Sequence, residues 1–80
     1  MTRIHLVPPL PGTGLSLRDR VLMSLDLEDI PTEEIAQWMK VKLYTLYTYR
    51  NRIRKKLLKL DRSEHPAWVT AWLRRFPGSS

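Results

Sequence analysis

The sequence predicts an all-α domain of four helices with an extended N-terminal arm, and three observations carry that expectation. Leu43, Leu46, Ile53, Leu57 and Leu60 recur at helical spacing through one long stretch, residues 40–59. Prolines and turn residues at 31, 40–42 and 61–66 divide the rest into shorter helical segments. The long stretch carries eight Lys and Arg with no Asp or Glu, so a single helix dominates the charge.

Taken in order, residues 1–14 hold three of the six prolines (Pro8, Pro9, Pro11) and two of the three glycines, a composition that reads as a flexible Pro/Gly-rich arm. Ile4, Leu6 and Val7 could dock on the domain or a partner, although a frayed tail is the plainer expectation. The helical domain spans residues 15–76, with a C-terminal tail at 77–80. Its first helix is expected over residues 15–27, with Ser16 and Asp19 spaced as a capping box. Leu15, Leu22, Met23, Leu25 and Leu27 form its apolar side, and Arg18, Asp19, Arg20, Asp26 and Glu28 its wet side. Pro31 disfavours helix at Ile30 and so ends it.

A short second helix is expected over residues 32–39, with Glu33 and Glu34 in the first turn, where the helix dipole favours them. Trp38 is assigned to the core with Ile35, Ala36 and Met39. Three residues, 40–42, separate it from the long helix at about 43–58. Two helices so joined make a helix-turn-helix. After a break at 61–66, Ser63 is a candidate N-cap and Pro66 fits a first turn. A last helix runs to Phe76 and is stopped by Pro77 and Gly78. Val69, Leu73 and Phe76 suffice for its core stripe, which leaves Trp68 and Trp72 as a neighbouring apolar stripe suited to a subunit contact.

Eighty residues make one small domain. It has no cysteine, hence no disulfide and no thiolate metal site, and His5 and His65 lie too far apart in sequence to suggest a metal. No cofactor is implied. With no apolar run approaching a membrane span, the expected location is cytoplasmic and nucleoid-associated. The net charge is +6, and residues 41–60 alone carry seven basic and no acidic side chains, whereas residues 15–40 carry three basic and six acidic ones. A one-signed helix that also bears Asn, Thr and Tyr suits a polyanion with hydrogen-bonding edges. An enzyme is not expected, since the chain has no Gly-rich phosphate loop, no metal spacing and no His–carboxylate–nucleophile cluster.

These residues bring a family likeness with them. Residues 15–57 resemble, without a gap, the LuxR/GerE-type (NarL-like) DNA-binding domain. The opening pattern is Leu15-Ser16-Leu17-Arg18-Asp19, an apolar pair follows at Leu22-Met23, and an Ile-Ala pair stands at 35–36. Thr45-Leu46 corresponds to the start of the family's recognition helix, and residues 50–57, RNRIRKKL, to its closing pattern. Four positions depart from the pattern. Asp29 stands for a common Gly, Lys42 for the Ser before the recognition helix and Tyr49 for a His, while Pro66 points to a later start of the fourth helix. The promoter-binding helix-turn-helix of sigma factors is a neighbouring likeness.

The resemblance implies a bacterial-type, sequence-specific transcriptional regulator with its recognition helix, about 43–58, in the major groove of double-stranded DNA. Tyr47, Thr48 and Asn51 match base-facing positions. Lys42, Tyr44, Arg52, Arg54, Lys55 and Lys59 are the expected phosphate contacts, and Tyr49 is expected in the core. The fourth helix often dimerises in the family, so Trp68 and Trp72 imply a homodimer, completed only on DNA if the contact is small. The alternative is a protein-interaction module, an anti-activator or heterodimer partner of another regulator, using the arm or the last helix. With 14 residues ahead of the domain, the chain is read as a stand-alone regulator or as a piece of a longer protein.

Overall fold

The computed structural model describes residues 5–77. Ile4 and the tail from Gly78 onward lie outside the described residues. Four helices, and among the described residues no strand, form the domain: α1 (Leu17–Leu27), α2 (Thr32–Met39), α3 (Leu43–Leu57) and α4 (Ala67–Arg75), with a short 3-10 turn at Arg62–Glu64 before α4. No helix among the described residues is long and apolar enough to cross a membrane.

The start of α1 follows from its sequence. Ser16 Oγ accepts from the Asp19 amide at 3.2 Å, and the Asp19 carboxylate accepts from the Ser16 amide at 3.0 Å, which closes the capping box. This helix is the centre of the molecule and packs against α2, α3 and α4. Five successive residues, Leu22 to Asp26, are buried, so its C-terminal half has no solvent face. Asp19 and Asp26, assigned to the wet side by the sequence, are therefore interior groups. Each has an ion partner on α3, as described below.

The side of α1 left open by the helices is covered by the arm. Val7 is buried, its amide donates to Ser24 Oγ at 2.9 Å, and its carbonyl accepts from Arg20 Nε at 3.0 Å. Ser24 can serve because its own hydroxyl donates back to the Arg20 carbonyl at 2.6 Å. Residues 11–14 then turn, with Gly12 and Gly14 at positive φ and Thr13 buried beneath them, its hydroxyl on the Leu10 carbonyl at 2.6 Å. The arm, expected to be a flexible stretch, therefore makes contacts with the domain: Val7 is tied to α1 through its backbone, and Val7 and Thr13 are buried.

The turns after α1 and α2 are Schellman motifs. After α1 the Ile30 amide reaches the Leu25 carbonyl and the Asp29 amide the Asp26 carbonyl. After α2 the Val41 amide reaches the Ala36 carbonyl and the Lys40 amide the Gln37 carbonyl. Each motif needs one left-handed residue, and here these are Asp29 (φ 62°) and Lys40 (φ 59°) rather than glycine. Asp29 thus occupies a backbone position that Gly suits best.

The core unites Leu22, Met23 and Leu25 of α1, Ile35 and Ala36 of α2, Leu46, Ile53 and Leu57 of α3, and Val69 and Trp72 of α4. Two tryptophan assignments are reversed. Trp72 is 0% exposed and is the largest fully buried side chain, while Leu73 and Phe76 only flank the core. Trp38 is 61% exposed. On an eight-residue helix whose inward line is set by Ile35, Ala36 and Met39, position 38 falls well round the side. Ser63 lies inside the 3-10 turn, and Pro66 takes the N-cap place of α4.

Candidate nucleic-acid interface

The position of α3 is set by a charged cluster at its midpoint. Asp26 of α1 accepts from Arg50 Nη2 at 2.6 Å, from Arg50 Nε at 3.3 Å and from Trp72 Nε1 at 2.9 Å. Arg50 also donates to Thr32 Oγ1 at 3.3 Å, and its guanidinium lies 4.4 Å from the centre of the Phe76 ring. Arg75 donates to the Asp26 carbonyl at 2.8 Å and is paired with Asp29. One carboxylate therefore ties together α1, α3 and α4, with α2 reached through Thr32. Nearer its C-terminal end, α3 is fixed again by Lys56, whose Nζ lies 2.6 Å from Asp19. Arg50 and Lys56 are consequently internal partners and do not contribute to an outer cationic surface.

With Leu46, Arg50, Ile53 and Leu57 turned inward, the opposite side of α3 faces solvent. Tyr44, Tyr47, Thr48, Asn51, Lys55 and Leu58 fall within an arc of about 100° on that side. Tyr44 is 78% exposed and Tyr47 53% exposed, and Asn51 and Lys55 are open to solvent. Thr48 is half-buried, and its hydroxyl donates to the Tyr44 carbonyl at 3.2 Å, which leaves its methyl and an oxygen lone pair for any partner. The residues expected at bases, Tyr47, Thr48 and Asn51, thus share one outward face.

Of the expected phosphate contacts, Lys42 opens the helix, and Arg52, Lys55 and Lys59 line its outer side; all four are exposed. Arg54 differs. It is half-buried, Nη1 donates to the Pro77 carbonyl at 3.2 Å, and Nε is buried without a partner. Its guanidinium is drawn toward the end of the chain and away from the outer face. Tyr49, expected in the core, is half-buried and packed against it, with its hydroxyl accepting from Arg18 at 3.1 Å and the guanidinium 5.4 Å from its ring centre.

The expected dimer stripe is not formed. Trp72 has no accessible surface and Trp68 is half-buried against the core. The solvent side of α4 carries Ala67, Ala71, Arg74 and Arg75 instead. Beside α4, a groove of about 510 Å³ is lined by Leu58, Leu60, Arg62, His65, Leu73 and Arg74.

Sequence reasoning missed the Asp26 cluster, although its signal was present. Asp26 is four residues after Leu22, and Arg50 sits between Leu46 and Ile53, so each lies on an otherwise apolar arc. Opposite charges on two inward faces point to a buried pair. A scan against protein-family models and searches of curated proteins and of solved structures find no match to this chain.

Proposed function

We propose that the chain is a sequence-specific DNA-binding module of bacterial regulator type, with α2 and α3 acting as a helix-turn-helix and α3 as the recognition helix. The observation that carries this reading is the outer face of α3, where Tyr47, Thr48 and Asn51 stand among Lys42, Arg52, Lys55 and Lys59 with no acidic side chain on the helix. At 15 residues the helix is about 22 Å long and, like any α-helix, about 10–12 Å across, a diameter that the major groove of B-DNA, about 12 Å wide, admits. Asn51 offers the paired donor and acceptor that match an adenine edge, and the exposed cations neutralise phosphates on either side. The Asp26–Arg50 pair supports the reading indirectly, since it fixes the rotation of α3 and hence which side chains face outward.

Binding to duplex DNA as a function of salt tests the proposal. Four exposed cations predict that log K falls against log salt with a slope of roughly −3.5. This count omits Arg50, Lys56 and Arg54, which are engaged within the protein. A flat response between about 50 and 300 mM salt, or no binding at the low end, removes the reading.

A second reading, a protein-interaction module, is favoured by Trp38. An exposed indole on α2, close to the acidic Glu33 and Glu34, is unsuited to a phosphate backbone and well suited to a protein contact. Under this reading Trp38→Ala abolishes partner binding while duplex affinity is unchanged.

A further inference from the structure

The exposed face of α3 is not chemically uniform, and its N-terminal half has a composition of its own. Between Leu43 and Tyr49 the helix carries no cation. The next one, Arg50, is locked inside on Asp26. The outward groups of this half are the partly exposed Leu43, the rings of Tyr44 and Tyr47 and the Thr48 methyl, and the Asn51 carboxamide follows just past the midpoint. The Thr48 hydroxyl proton is engaged by the Tyr44 carbonyl, which accentuates the apolar character of that position. Of the exposed cations, Lys42 stands just ahead of this half at the N-cap, and Arg52, Lys55 and Lys59 lie beyond it.

Major-groove edges differ in what they offer such a surface. Guanine presents two acceptors that call for Arg or Lys, and cytosine presents a donor that calls for a carboxylate. Thymine presents a methyl group, and adenine the acceptor and donor that a carboxamide spans. The first half of α3 holds no free cation and no carboxylate. Its carbon surface matches thymine, and the Asn51 carboxamide beside it matches adenine.

We infer that the N-terminal half of α3 selects A·T base pairs, with Tyr44, Tyr47 and Thr48 packing on thymine methyl groups and Asn51 pairing with adenine. The assignment rests on the reading of α3 as a recognition helix and specifies what that helix recognises. It gives the exposed tyrosines a role that phosphate contact does not: their rings cover methyl groups, which sequence-independent binding would not need.

The test begins with selection of binding sites from a random duplex pool, followed by synthesis of the selected site with deoxyuridine in place of thymidine, which removes only the methyl group. The selected sites are expected to be A·T-rich across one cluster of positions. Within that cluster each methyl removed should weaken binding about fourfold, the effect of roughly one buried CH₂, whereas deoxyuridine at flanking positions should change nothing. The double variant Tyr44→Ser/Tyr47→Ser should melt like the parent, because both side chains are exposed, and should bind the two duplexes with a ratio close to one. Equal affinity of the parent protein for thymidine and deoxyuridine duplexes, or selected sites without A·T enrichment, overturns the inference while duplex binding itself stands. Failure of the parent protein to retain any duplex at low salt overturns the recognition-helix reading beneath it.

Discussion

Asp26 decides more of this structure than any apolar residue of similar size. Its carboxylate is buried with Arg50 and Trp72 as partners, so the charge pair is desolvated but well supplied with hydrogen bonds. Such pairs contribute little beyond an apolar replacement, yet removing one partner leaves an uncompensated buried charge and costs about 3–5 kcal/mol. Asp26→Asn keeps the shape and removes the charge that balances Arg50. It should lower the melting temperature by more than about 10 °C, given about 4–8 °C per kcal/mol for a domain of this size. A near-parental melt would show that Arg50 is not held by this carboxylate.

Asn51 and Lys55 are the counterparts on the surface. Neither has a side-chain hydrogen bond or ion pair among the described residues, so Ala at either should leave melting unchanged. On DNA they should separate: Asn51→Ala loses about 1–3 kcal/mol on a selected site and little on random duplex, whereas Lys55→Ala weakens both alike. Identical behaviour of the two variants on both duplexes would refute the division into base and phosphate contacts. These outward positions were legible in the sequence because helical period alone places Tyr47, Thr48 and Asn51 opposite Leu46, Ile53 and Leu57. The engagement of Arg54 and Lys56 was not, because a count of charges along one helix carries no information about carboxylates or carbonyls brought in from α1 and Pro77, whereas that of Arg50 was signalled by its place on the apolar arc.

Among the elements, the helices were the most legible and their surroundings the least. The capping box, Pro31 and the three-residue gap before α3 mark boundaries by local chemistry, and they fall where expected. The arm did not, because prolines and glycines predict an absence of regular structure, which is distinct from an absence of contacts. Its hold on α1 depends on Ser24, whose burial follows only from the assembled fold. Trp68 and Trp72 were similarly underdetermined. A short helix of nearly continuous apolar residues has several possible inward stripes, and the choice of Trp72 is made by the Asp26 acceptor waiting for its indole N–H. The turns add a prediction of their own. Lys40 holds a left-handed conformation that is strained for a side chain bearing Cβ, and among the described residues no side-chain bond offsets the strain. Lys40→Gly should raise stability by up to about 1 kcal/mol in denaturant melts. Unchanged or lower stability would mean that the lysine is better accommodated than its backbone suggests.

At the scale of the whole molecule, charge opposes itself in the free protein. The net charge is +6, and Lys42, Arg52, Lys55 and Lys59 share one surface. Their mutual repulsion weakens the compact state slightly, and salt relieves it by screening over about 10 Å at 0.1 M. The melting temperature of the protein alone should therefore rise modestly as salt increases. The stabilisation added by duplex DNA should respond to salt in the opposite sense. A ligand that binds only the folded state stabilises it by about 2.7 kcal/mol at a hundredfold excess over its dissociation constant, which for this size corresponds to about 10 °C or more. Because that constant itself weakens steeply with salt, the increment should be large near 50 mM and vanish near 300 mM. Two melting curves at each salt concentration, with and without a duplex carrying a selected site, measure both trends at once. Opposite signs of the two salt effects are expected only if the exposed cations that repel one another are those that meet the phosphates. A duplex that fails to raise the melting temperature at low salt, or raises it equally at both concentrations, would place the function of this charged surface elsewhere.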